Sequence, residues 1–280
     1  MNLRNALKLI LYILPYVAAV IGVKLVVHRL DCEIIPLNAI FSALIGANVF
    51  LIGFLISGVL SDYKESEKLP GEIASIVLTI VDEIDFVGRK SPDDGFVAER
   101  LRRARDLAAR IRDWFFKEAR TGEVMRDIEG LSAEFALLET RTAPNYVARL
   151  KQEQNNLRKI ITRIHTIRET DFIFSGYFIA STTTFLLIVG MIFLRIEPFY
   201  ESLFFVALVT YLLLFLLRLI RDLDNPFGHY DGASFEDVSL KPVHDAIARI
   251  DEKLSAVSGA PIAAGAGAPG GPSPDRGVPA

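Results

Sequence analysis

The strongest constraint on this chain is where its charges are missing. Ile35 to Ser61 runs for 27 residues without Asp, Glu, Lys, Arg or His, and Phe172 to Leu194 runs for 23. Crossing a hydrocarbon core takes about 20 apolar residues at roughly 1.5 Å each, so either run is long enough. Two shorter runs, Leu9 to Val23 and Ser202 to Leu217, are flanked by Lys8 and Lys24 and by Arg218 and Arg221. The long stems of these cations are expected to reach the headgroups while the apolar segments span. The pattern therefore predicts an all-α integral membrane protein with four spans in a 2+2 arrangement around a charged block. The expected layout is two spans in 1–62, a cytosolic helical domain in 63–170, two spans in 171–222, a C-terminal loop and helix in 223–258, and a disordered tail in 259–280.

Composition excludes several classes. Residues 62–170 hold 20 acidic and 20 basic side chains, a balance unlike the one-sided basic face of a nucleic-acid-binding domain. The single cysteine, Cys32, cannot form an intrachain disulfide. The start of the chain has the basic end and apolar core of a signal peptide, but its apolar character continues too far, and a second span follows within a dozen residues. Lys and Arg near the span ends favour one side: Arg4, Lys8, Lys64, Lys68, Arg218, Arg221 and Lys241 against Lys24, Arg29 and Arg195. The positive-inside rule places both termini and the central block in the cytoplasm, with the spans in the inner or plasma membrane.

The charged block reads as helices. Ile73, Ile76, Val77, Ile80, Ile84 and Val87 recur at helical spacing before Gly88 and the Ser91-Pro92-Asp93-Asp94-Gly95 turn. A second helix aligns Val97, Leu101, Ala104, Ala108, Ile111 and Phe115, and is expected to break at Gly122. Its arginines, Arg100, Arg102, Arg103, Arg105, Arg110 and Arg112, suit either an anion-attracting wall or, the preferred reading, a salt-bridged solvent face with Glu99, Asp106 and Asp113. A third helix spans Glu123 to Thr140 with Gly130 inside it, and a fourth runs from Pro144 toward the third span. A short amphipathic helix follows from Pro242 to Val257. The Gly-, Ala- and Pro-rich sequence after Gly259 lacks the apolar residues a fold needs.

No catalytic signature is present. The four histidines form no metalloprotease or zinc pattern, and there is no phosphate loop or nucleophile elbow, so a non-enzymatic protein without a resident cofactor is expected. The second span carries the most information. Pro36 suits the first turn of a helix. Phe50 and Phe54 stand one turn apart on a face shared with Ala43, Ala47 and Ser57. Such a face either packs against lipid and core or lines a narrow apolar throat. The glycines at 46, 53 and 58 read as helix-packing positions.

At these residues the chain resembles the bestrophins. Ile35-Pro36, the apolar run containing Gly53-Phe54 and the charged exit Asp62-Tyr63-Lys64-Glu65-Ser66-Glu67-Lys68-Leu69-Pro70-Gly71 are similar to that family's second membrane helix. Asp224-Asn225-Pro226-Phe227-Gly228 is similar to the Asn-Pro-Phe-Gly element after its last span. The likeness covers roughly residues 5–72 and 171–251. Two features depart from it: Leu55-Ile56-Ser57 stands in place of Arg-Asn-Asn, and Tyr63-Lys64 in place of a Trp pair. The resemblance implies a homopentameric channel, mostly for chloride and other inorganic anions with a few bacterial members passing cations, set in a lipid bilayer. It also implies a neck in which Phe54 and Phe50 form aromatic rings and Ala47 the next turn. In animal members acidic residues after the motif help bind calcium, and Asp231, Glu236 and Asp237 occupy that loop here, where a solvated polar loop is the plainer reading. A non-conducting scaffold whose cytosolic helices bind a partner is the alternative function.

Overall fold

The computed structural model describes residues 3–90, 94–169, 174–229 and 237–258. Most of the turn expected at 91–95, the acidic positions 231 and 236 and the tail expected to be disordered lie outside them. The described chain is helical: α1 (Leu3–Arg29), α2 (Ala39–Ser66), α3 (Leu69–Lys90), α4 (Asp94–Phe115), α5 (Thr121–Glu139), α6 (Pro144–Glu169), α7 (Phe174–Ile192), α8 (Phe199–Asp224) and α9 (Lys241–Ser258). Four segments are long and apolar enough to cross a membrane; they lie in α1, in the continuous stretch from Ala39, in α7 and in α8. They pair as expected, two before the charged domain and two after it.

Two apolar clusters hold the molecule together. One joins the spans through Phe41, Ile52, Leu55, Val59, Ala180, Val206, Leu213 and Ile220. The other fills the helical domain with the stripes legible in the sequence, among them Ile73, Ile80, Leu101, Ile111, Leu157 and Ile161. Val243, Ile247 and Ile250 of α9 belong to this second cluster, so the C-terminal helix closes the domain formed by α3 to α6. Tyr63, at the end of α2, touches both clusters.

Where local signals and structure part, tertiary contacts give the reason. Pro36 is not in the first turn of α2. Ile35 and Pro36 form a two-residue parallel bridge, β1, with Leu194 and Arg195, β2. The helix begins at Ala39, and the side chain of Asn38 accepts the Phe41 N–H at 2.8 Å as its cap. Likewise α4 ends at Phe115 rather than at Gly122, which falls in the first turn of α5. Lys117 closes α4 at φ 60°: the Glu118 N–H reaches Asp113 O at 2.9 Å and the Lys117 N–H reaches Trp114 O at 3.1 Å. This pair of bonds is the Schellman pattern, with a lysine where glycine is usual.

The arginine-rich face of α4 is paired. Arg102 and Arg103 reach Glu99, the local pairs expected on a solvent face, and Arg112 reaches its chain neighbour Asp113 at 2.7 Å. Three others tie helices together: Arg100 to Glu134 of α5, Arg110 to Asp127 of α5, and Arg105 to Asp251 of α9 at 3.1 Å.

Candidate functional site

Built from its residues, α2 has two sides. Phe41, Asn48, Ile52, Leu55 and Val59 are buried against α7 and α8. At 3.6 residues per turn these positions fall on one narrow stripe. About half a turn away lie Ala43, Ala47, Phe50, Phe54 and Ser57, all exposed, with Phe50 at 76% and Phe54 at 69%. The chain thus leaves uncovered the face that carries the aromatic pair. A Cβ added to Gly46 or Gly53 would meet nothing within 4 Å. These two glycines therefore pack against no described helix of their own protomer. Gly190 of α7 does pack closely, since a Cβ there would stand 2.9 Å from the Phe41 ring.

The packed side of α2 is held by a polar contact within the apolar layer. Asn48 donates to Thr184 Oγ1 at 2.9 Å, and Thr183 Oγ1 donates to Asn48 Oδ1 at 2.6 Å. Removing these groups from water leaves each other as partners, which sets the rotation of α2 against α7 and so the direction in which Phe50 and Phe54 point. Beside this contact, Ala47 also borders an apolar groove of about 360 Å³ with Phe41, Leu44, Leu51, Leu186 and Leu187.

At the far end from the helical domain, Lys24 departs from the expected placement at the headgroups. Its side chain is 0% exposed and lies 2.5 Å from Glu33, while its ammonium donates to the Leu194 carbonyl. Buried cations need such partners, and here the α1–α2 and α7–α8 connections supply them. His28 Nδ1 stands 3.0 Å from the other Glu33 oxygen, and its ring stacks on Phe199 at 3.6 Å. Partial burial alone would raise the Glu33 pKa. The hydrogen bonds from Lys24 and His28, together with their charges, leave it below the ordinary carboxylate value. Arg218 and Arg221, expected to reach outward, lie over the rings of Tyr12 and Tyr177 at 5.2 and 5.0 Å.

The motif after the last span is built into the domain core. Pro226, Phe227 and Gly228 are buried, and Phe227 packs against Phe115 with ring centres 5.6 Å apart. Pro226 O accepts the Val238 N–H at 2.9 Å, so the strand of chain leading to α9 is pinned beside the motif. Asp224 and Asn225 are half-buried and partnered. Of the acidic loop, Asp231 and Glu236 lie outside the described residues, and Asp237 stands 3.8 Å from His229 Nδ1. Among the described residues no group of three or more His, Cys, Asp or Glu side chains is arranged to hold a metal ion. Burial lowers the His229 pKa, against the raising effect of Asp237.

Two features escaped sequence reading: the Lys24–Glu33–His28 cluster and the Asn48–Thr183–Thr184 contact. A lysine near the end of an apolar run and an asparagine inside one were their only traces.

No family model and no curated protein matches this sequence. Its architecture does match solved structures. Two crystal structures of variants of a bacterial bestrophin homologue from Klebsiella pneumoniae align with TM-scores of 0.69 and 0.66 at 15% and 16% identity. They cover 89% and 90% of this chain and 99% and 98% of their own. A further crystal structure, described as a membrane protein, aligns at a TM-score of 0.71 and 15% identity, covering 89% of this chain and 99% of its own. The match takes in the spans and the central domain together, which sequence motifs alone did not reach. The chain is an all-helical membrane protein with the fold of the bacterial bestrophin homologues.

Proposed function

We propose that the chain assembles with copies of itself, as a pentamer, around α2, and that the assembly conducts small anions, chloride first, through a neck lined by Phe50 and Phe54 with Ala47 one turn away. The observation that carries this is the uncovered α2 face. It is apolar, aromatic and free of charge, and its Phe50 and Phe54 are left uncovered by the described helices of the chain. A ring of such faces makes a low-dielectric constriction that a weakly hydrated anion crosses after losing part of its water, with aromatic edges offering positive potential. The fold likeness and the motif after α8 support the same reading. The helical domain then stands on the cytoplasmic side, in line with the distribution of Lys and Arg at the span ends. No covalent chemistry is involved.

Planar-bilayer recording of the purified protein in asymmetric chloride tests this. We expect a reversal potential shifted toward that of chloride, and Phe50→Ala and Phe54→Ala to change conductance or selectivity by about threefold or more, because each removes one ring of the constriction. Variants indistinguishable from the parent would remove the two phenylalanines from the neck. An oligomer that passes no ion would instead be a membrane scaffold.

A further inference from the structure

We propose that Lys24, His28 and Glu33 form a proton-sensitive clamp at the outer end of the spans that sets where α2 begins, making His28 a positioning residue for the neck. This rests on α2 being the pore helix and on the orientation given above. The physical case starts from the end of α1. Asp31 adopts φ 54°, with Cys32 N–H bonded to Val27 O and Asp31 N–H bonded to His28 O, each at 3.1 Å. This closing turn brings Glu33 back over the last turns of α1. One carboxylate oxygen then takes Lys24 at 2.5 Å and the other takes His28 at 3.0 Å.

From this carboxylate, contacts run to every element at that end. Lys24 holds the Leu194 carbonyl. Leu194 pairs with Ile35 across the β1–β2 bridge, and the Ile35 N–H donates to Phe193 O at 3.1 Å. His28 stacks on Phe199, the first residue of α8. Asn38, which caps α2, follows Glu33 by only five residues and the bridge by two. The start of α2 therefore follows whatever holds Glu33.

The three groups are not equally accessible. Lys24 is 0% exposed, Glu33 10% and His28 40%. Protons from the outer solution thus meet His28 first. Histidine is the side chain whose charge changes between about pH 5 and pH 8. Neutral, it gives Glu33 one ordinary hydrogen bond; charged, it adds a cation beside the carboxylate and over the Phe199 ring. Other charged groups on the elements meeting there are Arg29 on α1, Asp31 in the closing turn, Arg195 and Glu197 on the α7–α8 connection, and Glu201 in the first turn of α8. Arg195 is occupied by Glu197 at 2.7 Å, and of the two side chains that hold Glu33, His28 is the solvent-facing one.

The chain carries its own reporter. Cys32 is the sole cysteine, is exposed, and adjoins Glu33. A nitroxide attached to Cys32 of the reconstituted protein should show a mobile fraction that falls by about threefold from about pH 8 to about pH 5.5, the scale of a partly exposed ion pair. His28→Gln, with an unchanged elution volume showing that it folds, should abolish the response. In planar bilayers, anion current should depend on outer pH in the parent protein and lose that dependence in His28→Gln. A label indifferent to pH, or responding equally in His28→Gln, overturns the clamp even if current flows. A label that responds as expected in a protein passing no current supports the clamp and overturns the channel reading. A responsive label with a current indifferent to outer pH overturns the positioning role.

Discussion

Single residues carry much of this fold because several occupy positions their type rarely takes. Lys117 sits at φ 60°, a conformation that costs an L-residue with a Cβ about 1 kcal/mol and costs glycine little. Lys117→Gly should therefore raise the stability of the helical domain by about 0.5–1 kcal/mol, seen as a rise of a few degrees in its thermal midpoint. Phe227 shows the opposite case, a large side chain completely enclosed beside Phe115. Phe227→Ala should cost about 3–5 kcal/mol by denaturant titration, because the rigid helices around it cannot close the cavity. Glu33 provides a sign that can be checked with acid. Its pKa is lowered in the folded chain, so its stabilisation is complete above the ordinary value of 4.5 and is lost as pH falls through the lowered one. The thermal midpoint of the parent should fall as the pH drops below about 4.5, and Glu33→Gln should remove that acid-side loss while lowering stability at neutral pH.

At the scale of elements, α2 governs the rest. Its 28 residues extend about 42 Å, longer than a hydrocarbon core, so its last turns leave the apolar layer. There Glu65 meets Arg163 of α6 at 2.7 Å, and Tyr63 touches both apolar clusters. Helix and domain are thereby in direct contact. At mid-span the rotation of α2 depends on Asn48. Asn48→Ala should cost about 0.5–2 kcal/mol, measured by titrating the reconstituted protein with a denaturing detergent, because Thr184 is left without its donor inside the apolar layer. The same change should alter conductance, since Asn48 is the polar contact at mid-span that holds α2 against α7 beside Phe50 and Phe54.

For the molecule as a whole, α9 shows what holds a late segment to an early one. Lys253 reaches Asp82 at 2.9 Å and Asp85 at 3.3 Å, and Arg105 reaches Asp251. Partial burial would lower the Lys253 pKa, but the bond to Asp82 and the charge of Asp85 leave it raised. That contribution is complete at neutral pH and lost only above the ordinary lysine range. These pairs are exposed enough to contribute little. Lys253→Ala should cost less than about 1 kcal/mol and lose its effect in high salt. Ile250→Ala, in the enclosed seam, should cost about 2–5 kcal/mol by thermal or chemical unfolding of the domain, whatever the salt.

The sequence alone was enough for the class of the molecule. Charge-free runs can only be spans or cores, and helical spacing in the charged block places Ile73, Ile80, Leu101 and Ile111 on buried stripes before any contact is known. Periodicity reports which side of a helix is apolar, and that is a local property. It could not show that Lys24 turns inward, that Pro36 enters a bridge instead of a helix, or that α4 stops at a lysine. Each of these depends on a partner distant in the chain or on a backbone turn closed by its own hydrogen bonds: Leu194 lies 170 residues from Lys24. The sequence likewise marked Phe50 and Phe54 as sharing a face. Only the packing of Asn48, Ile52, Leu55 and Val59 against α7 and α8 decided that this face is the one left open, because exposure is set by where neighbouring helices stand.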